Sequence, residues 1–198
     1  MAGETFMRIE VKSAAELRAW LDAHHQNSAS AWLVTFKKHL SEFHLTYSDI
    51  VDELLCYGWV DSLPRKLDEA RTMLLIAPRK PKSNWSKINK EKVARLLSEG
   101  RMRPAGIAAV EKAKAGGQWD ALDAVEGLEV PHDLSEALAL LPLAASHFSA
   151  FPKSAKRGIL EWINAAKSGE TRAKRIQETA RLANENVRAN QWRQPKSG

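Results

Sequence analysis

Pro78 and Pro81, three residues apart in the stretch PRKPKSNWSK (78–87), divide the chain into halves of different periodicity. Neither residue can donate to a sheet ladder or sit inside a regular helix. An element running into the stretch therefore ends there, and the next one starts afresh. Before it, apolar residues recur with periods of both two and 3.6; after it, only the helical period remains. That order is α+β. We expect a small, mostly antiparallel sheet from the amino-terminal half packed against a helical carboxy-terminal half.

The first half reads element by element. FMRIEV (6–11) alternates apolar and polar residues as a strand does. SAAE, from Ser13 to Glu16, has capping-box spacing and opens a helix with Leu17, Trp20 and Leu21 on one face, ending near HHQNS. AWLVTFKK (31–38) is rich in β-branched and aromatic residues and is the clearest strand. TYSDIVDELLCYG offers Thr46 or Ser48 as N-cap, an apolar face of Ile50, Val51, Leu54 and Leu55, and Gly58 as a left-handed stop. WVDSLPRKL and RTMLLIAP form an antiparallel pair, and Pro64 makes the first an edge strand or a bulged one.

Beyond Pro81 the spacing predicts a helix over SNWSKINKEKVARLLSEG, capped by Ser83 and stopped at Gly100, with Trp85, Ile88, Val93, Leu96 and Leu97 inward. PAGIAAVEKAKAGG starts with proline at its first helical position and ends at a glycine pair. A loop with Trp119 and Pro131 leads to DLSEALALL and LAASHFSAF, separated by Pro142. SAKRGILEWINAAKSG and TRAKRIQETARLANEN read as a helical hairpin closed by Gly169 and restarted at Thr171. We expect residues 1–120 to form the α+β core, 121–190 a helical region packed on it as one cooperative unit, and 191–198 a flexible tail.

The single cysteine, Cys56, excludes an internal disulfide framework and a cysteine-based metal site. No apolar run approaches a membrane span, and Glu4 and Glu10 stand where a secretory leader would be cationic and then apolar, so a cytoplasmic protein without membrane insertion is expected. The net charge of +6 is uneven: residues 1–80 carry −1, 81–120 +5, 121–150 −5 and 151–198 +7. An acidic segment between two basic ones can neutralise part of the chain's own charge. The residual excess favours anions without establishing nucleic-acid binding.

Three stretches carry a resemblance: LLCYGWVDS (54–62), APRKPKSNWSKINKEKVARLLSEGRMRPAGIAAVEKAKAGGQWD (77–120) and WINAAKSGETRAKRI (162–176). With them the chain resembles the YdeI/OmpD-associated, or bacteriocin-protection, family over most of residues 30–180. Arg103 departs from the pattern, since a hydroxyl residue is expected to cap the helix before Pro104. The resemblance implies a part in tolerance to bacteriocins or envelope stress and brings no agreed enzymatic activity with it.

Two constellations can carry chemistry. In PRKPKSNWSK a helix starting near Ser83 exposes free N–H groups beside Arg79, Lys80 and Lys82, and Ser83, Ser86 and Asn89 can donate hydrogen bonds, which together make a cradle for phosphate or carboxylate. The plainer reading, preferred on the residues alone, is that Ser83 caps, Trp85 packs and the cations are solvated. In ELLCYGWVDS, alternation puts Trp59 and Asp61 on one face of a strand. There Asp61 can act as a general base or orient Arg79; a structural Asp61–Arg79 brace is preferred. If the stretches converge, Trp59, Asp61, Arg79, Ser83, Trp85, Ser86 and Asn89 form one indole-lined ligand site.

Elsewhere the signals are bland. His24 and His25, His39 and His44 have no metal-ligand spacing, and no metal or cofactor is called for. Cys56 reads as a small core residue. Asp49, Asp52, Glu53 and Asp61 read as scattered acids, mostly on a solvated helix. The basic ladder of AKSGETRAKRI, with Thr171 as cap, reads as a charged face against the acidic 121–150 segment. The preferred function is a non-enzymatic protein that binds a small anionic ligand or a protein partner. An enzyme with Asp61 as base and Arg79 as anion clamp, and nucleic-acid binding through the basic helices, are the alternatives.

Overall fold

A computed structural model describes residues 6–191. The expected tail, apart from Gln191, lies outside the described residues. The chain divides into two compact units, 1–121 and 122–198. The first is built from β1 (Met7–Glu10), α1 (Ala14–His24), β2 (Ala31–Phe36), α2 (Tyr47–Cys56), β3 (Trp59–Lys66), β4 (Arg71–Pro78), α3 (Lys87–Ser98) and α4 (Pro104–Ala115). Its sheet is mixed, in the order β1-β2-β4-β3: β1 runs parallel to β2 through the α1 crossover, and β4 is antiparallel to both its neighbours. Pro64 lies on the edge strand β3, beyond a register shift between Asp61 and Pro64, where a missing N–H costs no ladder bond.

Local chemistry sets the element ends. The Ser13 hydroxyl accepts from the Glu16 N–H at 3.2 Å, and the Glu16 carboxylate reaches back to the N–H of Lys12 at 2.8 Å, one residue before the usual box partner. Thr46 caps α2 by accepting from the Asp49 N–H. Gly58, with φ +70°, turns the chain from α2 into β3. At α3 the structure corrects the expectation: the cap is Ser86, which accepts from the Asn89 N–H, and Ser83 instead closes a turn onto the Lys80 carbonyl. The buried face of α3 centres on Val93 and Leu96, leaving Ile88, about 140° round the helix from Val93, exposed, and Leu97 half-exposed at the rim.

One face of the sheet, with Ile9, Ala31, Leu33, Leu74 and Ile76, packs into a core shared with α1, α2, α3 and α4. The other face carries a smaller cluster of Trp32, Val34 and Met73. Gly106 brings α4 onto the end of α2: a Cβ there would sit 2.3 Å from the Cys56 carbonyl oxygen.

The second unit is helical: α5 (Asp123–Glu126), α6 (His132–Ala139), α7 (Ala144–Ala150), α8 (Lys153–Asn164) and α9 (Gly169–Asn184). Leu134, Phe148, Phe151, Ile159, Leu160, Ile163 and Ile176 are among the residues of a core of its own. The α9 cap is Ser168, accepting from the Thr171 N–H at 3.1 Å, so Thr171 lies inside the helix rather than capping it. The acidic segment does meet basic helices here: Arg172 grips Asp133 through two hydrogen bonds of 2.7 and 3.0 Å, and Arg157 approaches Glu126 at 3.5 Å. Lys174 and Arg181 pair with Glu170 and Glu185, and Arg175 donates to the Trp162 carbonyl.

Two glycines test this packing by contrast. Gly106→Ala must push a methyl into backbone and is expected to lower stability by about 2–3 kcal/mol in chemical denaturation. Gly169→Ala meets nothing within 4 Å at the start of α9, so it is expected to be neutral or stabilising by up to about 1 kcal/mol.

Candidate functional site

The stretch between β4 and α3 is held at three points. The Arg79 N–H donates to the Gly58 carbonyl at 2.9 Å, the Ser83 N–H closes its turn, and the Trp85 N–H donates to the Gln118 carbonyl at 3.2 Å. These bonds bury Trp85 against Trp119, ring centroids 5.2 Å apart, and lay the Arg79 guanidinium over the Trp85 ring at 4.0 Å. Arg79 Nη1 donates to the Asn84 carbonyl at 3.0 Å. Opposite stands a small-residue face of α4, Ala105, Ala108, Ala109 and Ala113, whose side chains are too short to fill the gap. The result is a cleft of about 240 Å³.

Its charge is of one sign. Arg79, Lys80 and Lys112 line the cleft and no acidic residue does. Burial pulls the Arg79 pKa below its ordinary value, opposed only in part by the more distant charge of Asp61. Arg79 Nε is buried with no hydrogen-bond partner. A guanidinium stacked on an indole, desolvated and lacking a carboxylate, is an incomplete ion pair. The volume is below the ~300–1,000 Å³ of drug-sized ligand pockets, so it suits a small anion.

Of the residues singled out in the sequence, Arg79, Lys80 and Trp85 meet in this cleft, and Lys112 joins them. Trp59 does not: it is buried in the core, edge-on to Trp20, with Nε1–H donating to the His25 carbonyl at 3.3 Å. Asp61 accepts from the Tyr47 hydroxyl at 2.8 Å, so the direct Asp61–Arg79 brace does not form. Ser83, Ser86 and Asn89 are engaged in the turn and the α3 cap and are not among the lining residues. The signal that would have found Lys112 is the alanine spacing at 105, 108 and 109, which marks a helix face able to stand beside a cleft.

The sequence reading also missed a buried ion network. Asp52 and Glu53, read as lying on a solvated helix, are 5% and 2% exposed. Asp52 accepts from Lys92 at 2.7 Å and from Arg95 at 2.5 Å. Glu53 pairs with Arg18 at 2.9 Å and Arg101 at 2.8 Å, while Glu99 links Arg95 to Arg101. Burial works to raise the Asp52 pKa, but the hydrogen bonds from Lys92 and Arg95 outweigh it and hold the carboxyl below its ordinary value. Cys56, beneath Arg18, is buried, which pushes its thiol up and leaves it inert. Arg103 forgoes capping: its N–H donates to the Cys56 carbonyl and its guanidinium to the Tyr57 hydroxyl and Asp22. Among the described residues no group of three or more His, Cys, Asp or Glu could hold a metal ion, and no helix is long and apolar enough to cross a membrane.

Glu53 is the buried member of its two pairs, and neutralising it takes away the charge that Arg18 and Arg101 share. Glu53→Gln is expected to cost about 3 kcal/mol at neutral pH. Because Asp52 titrates lower in the folded chain, the unfolded chain binds more protons between the two values and stability rises with pH there. The Asp52 contribution is therefore full at neutral pH and lost as pH falls below about 3.8 towards the folded value. Asp52→Asn should flatten that part of the acid denaturation profile.

Residues 9–109, just over half of the chain, match the family model described as "Domain of unknown function (DUF8412)". Residues 127–186 match the model described as "Bacteriocin-protection, YdeI or OmpD-Associated". No curated protein and no solved structure matches. Of the three stretches that carried the resemblance, WINAAKSGETRAKRI lies within the second match; LLCYGWVDS and most of the middle block lie within the first. The chain belongs to the DUF8412 family, whose model lies on its first unit, and residues 127–186 of its second unit are similar to the YdeI/OmpD-associated model.

Proposed function

We propose that the protein is a non-enzymatic binder of a small oxyanion, a phosphate or carboxylate group, held in the Arg79 cleft. The observation that carries this reading is Arg79 itself: stacked on Trp85, its Nε buried without a partner, in a cleft lined by Lys80 and Lys112 and by no acid. An anion there would complete the ion pair that the fold leaves open and would accept charge-assisted hydrogen bonds from the guanidinium. The words "Bacteriocin-protection" in the description of the model matched by residues 127–186 support a place in bacteriocin tolerance, and the anion would there be the signal or the recruited group. A cytoplasmic setting suits the single buried Cys56. The nucleic-acid alternative finds less support, since Arg172, Lys174 and Arg181 are paired with acids within the second unit.

Inorganic phosphate, pyrophosphate, sulfate and citrate, each compared with chloride at equal ionic strength, test the reading by thermal unfolding. At 100 times its Kd a bound anion stabilises by about 2.7 kcal/mol, a readily measured rise in Tm. The rise is expected for at least one of the four, lost in Arg79→Ala and reduced in Arg79→Lys, which keeps charge without the planar fork. No rise with any of them, or an equal rise in Arg79→Ala, contradicts the proposal.

A further inference from the structure

A second cavity, of about 420 Å³, lies within the first unit and shares no lining residue with the Arg79 cleft. It is walled by Thr35 and Phe36 of β2, by Leu74 of β4 and Pro64 of β3, and by Leu45 and Ile50 at the amino end of α2. Its volume falls within the range of pockets that hold small organic ligands. Most of the wall is apolar, so an occupant must bring an apolar body.

Two polar features define the rest of that occupant. Thr35 is only 4% exposed, and its hydroxyl makes no hydrogen bond to another described residue. Thr35 lines the cavity, and its hydroxyl is free to bond an occupant that enters. The charged residues of the lining are Lys37 and Lys38, and no acid is among them. Lys37 spends one ammonium donor on the Asp68 carbonyl at 2.7 Å, leaving two, while the Lys38 side chain is exposed. The imidazole of His44 also lines the cavity, with Nδ1–H donating to the Phe36 carbonyl at 2.9 Å. Asp61 accepts from the hydroxyl of Tyr47, another lining residue, and does not line the cavity itself.

We propose that this cavity binds a small monocarboxylic acid with an apolar body. The hydrocarbon packs against Phe36, Leu45, Ile50 and Leu74, and the carboxylate takes the Thr35 hydroxyl and a lysine ammonium. Thr35, Lys37 and Lys38 are close neighbours in the chain, so one headgroup can engage hydroxyl and ammonium together. The apolar body supplies the burial energy, and the headgroup is matched in charge by cations on the lining.

The probe is octanoate, titrated into the full chain by calorimetry and amide NMR, with octan-1-ol and inorganic phosphate for comparison. One octanoate per chain is expected, with amide shifts at Thr35, Lys38, Leu45 and Leu74. Octan-1-ol should bind at least about tenfold more weakly, since it lacks the charge, and phosphate should not displace octanoate. Thr35→Val keeps the shape and the fold; it should weaken octanoate about tenfold without lowering Tm. Lys38→Glu, at an exposed position, should weaken it by a similar factor. The proposal is overturned by absent or non-saturable octanoate binding, by octan-1-ol binding as tightly, by displacement with phosphate, or by unchanged affinity in both variants.

Discussion

Two adjacent acids on α2, Asp52 and Glu53, are buried in the first unit, and each is clasped by two cations from elsewhere in the chain. Neighbouring positions on a helix point about 100° apart. The two carboxylates therefore reach to different sides of α2, Asp52 to Lys92 and Arg95 on α3, Glu53 to Arg18 on α1 and to Arg101 beyond α3. Their desolvation would be ruinous without those partners, so the fold cannot form with α2 in place and its neighbours elsewhere. Apolar packing alone would tolerate some sliding of these helices; four ion pairs of 2.5 to 2.9 Å do not.

That constraint reaches the Arg79 cleft. Arg101 sits just before α4, and the Arg103 N–H and Gly106 bring the start of α4 against the Cys56 carbonyl at the end of α2. The next residues of α2's exit, Tyr57 and Gly58, hand the chain to β3, and the Gly58 carbonyl holds Arg79. A Cβ on Gly58 would lie 2.8 Å from that of Ala109, so α4 and the β3 entry stand as close as two backbones can. The wall of alanines and the stacked Arg79–Trp85 pair thus face each other because α2 is fixed from both sides. The open valence of Arg79 is a consequence of this geometry: Asp61, the acid closest in sequence logic, is turned to Tyr47 instead.

The features legible in the sequence were local ones. The Ser13 and Thr46 caps, the Gly58 stop and the Pro64 bulge each depend on residues within a few positions, and each stands where the spacing puts it. The choice between Ser83 and Ser86 as the α3 cap was not local, because it turns on a bond from the Trp85 N–H to Gln118. The burial of Asp52 and Glu53 was invisible for the same reason: their cationic partners lie 35 to 48 residues away, and a helix written with acids reads as solvated. Arg79 and Trp85 were each singled out in the sequence, but Arg79 was assigned to Asp61, and its stacking on Trp85 across the proline turn was not read. Lys112 was signalled only indirectly, by the alanines at 105, 108 and 109, which mark a helix face without saying what that face meets.

The most direct measurement of the account is crystallographic: crystals soaked in selenate, an oxyanion with its own anomalous signal. The account predicts an anomalous peak in the cleft, within hydrogen-bond distance of the Arg79 guanidinium and flanked by Lys80 and Lys112, which disappears in Arg79→Ala crystals. A cleft that stays free of selenate while the anion occupies other basic sites would contradict it.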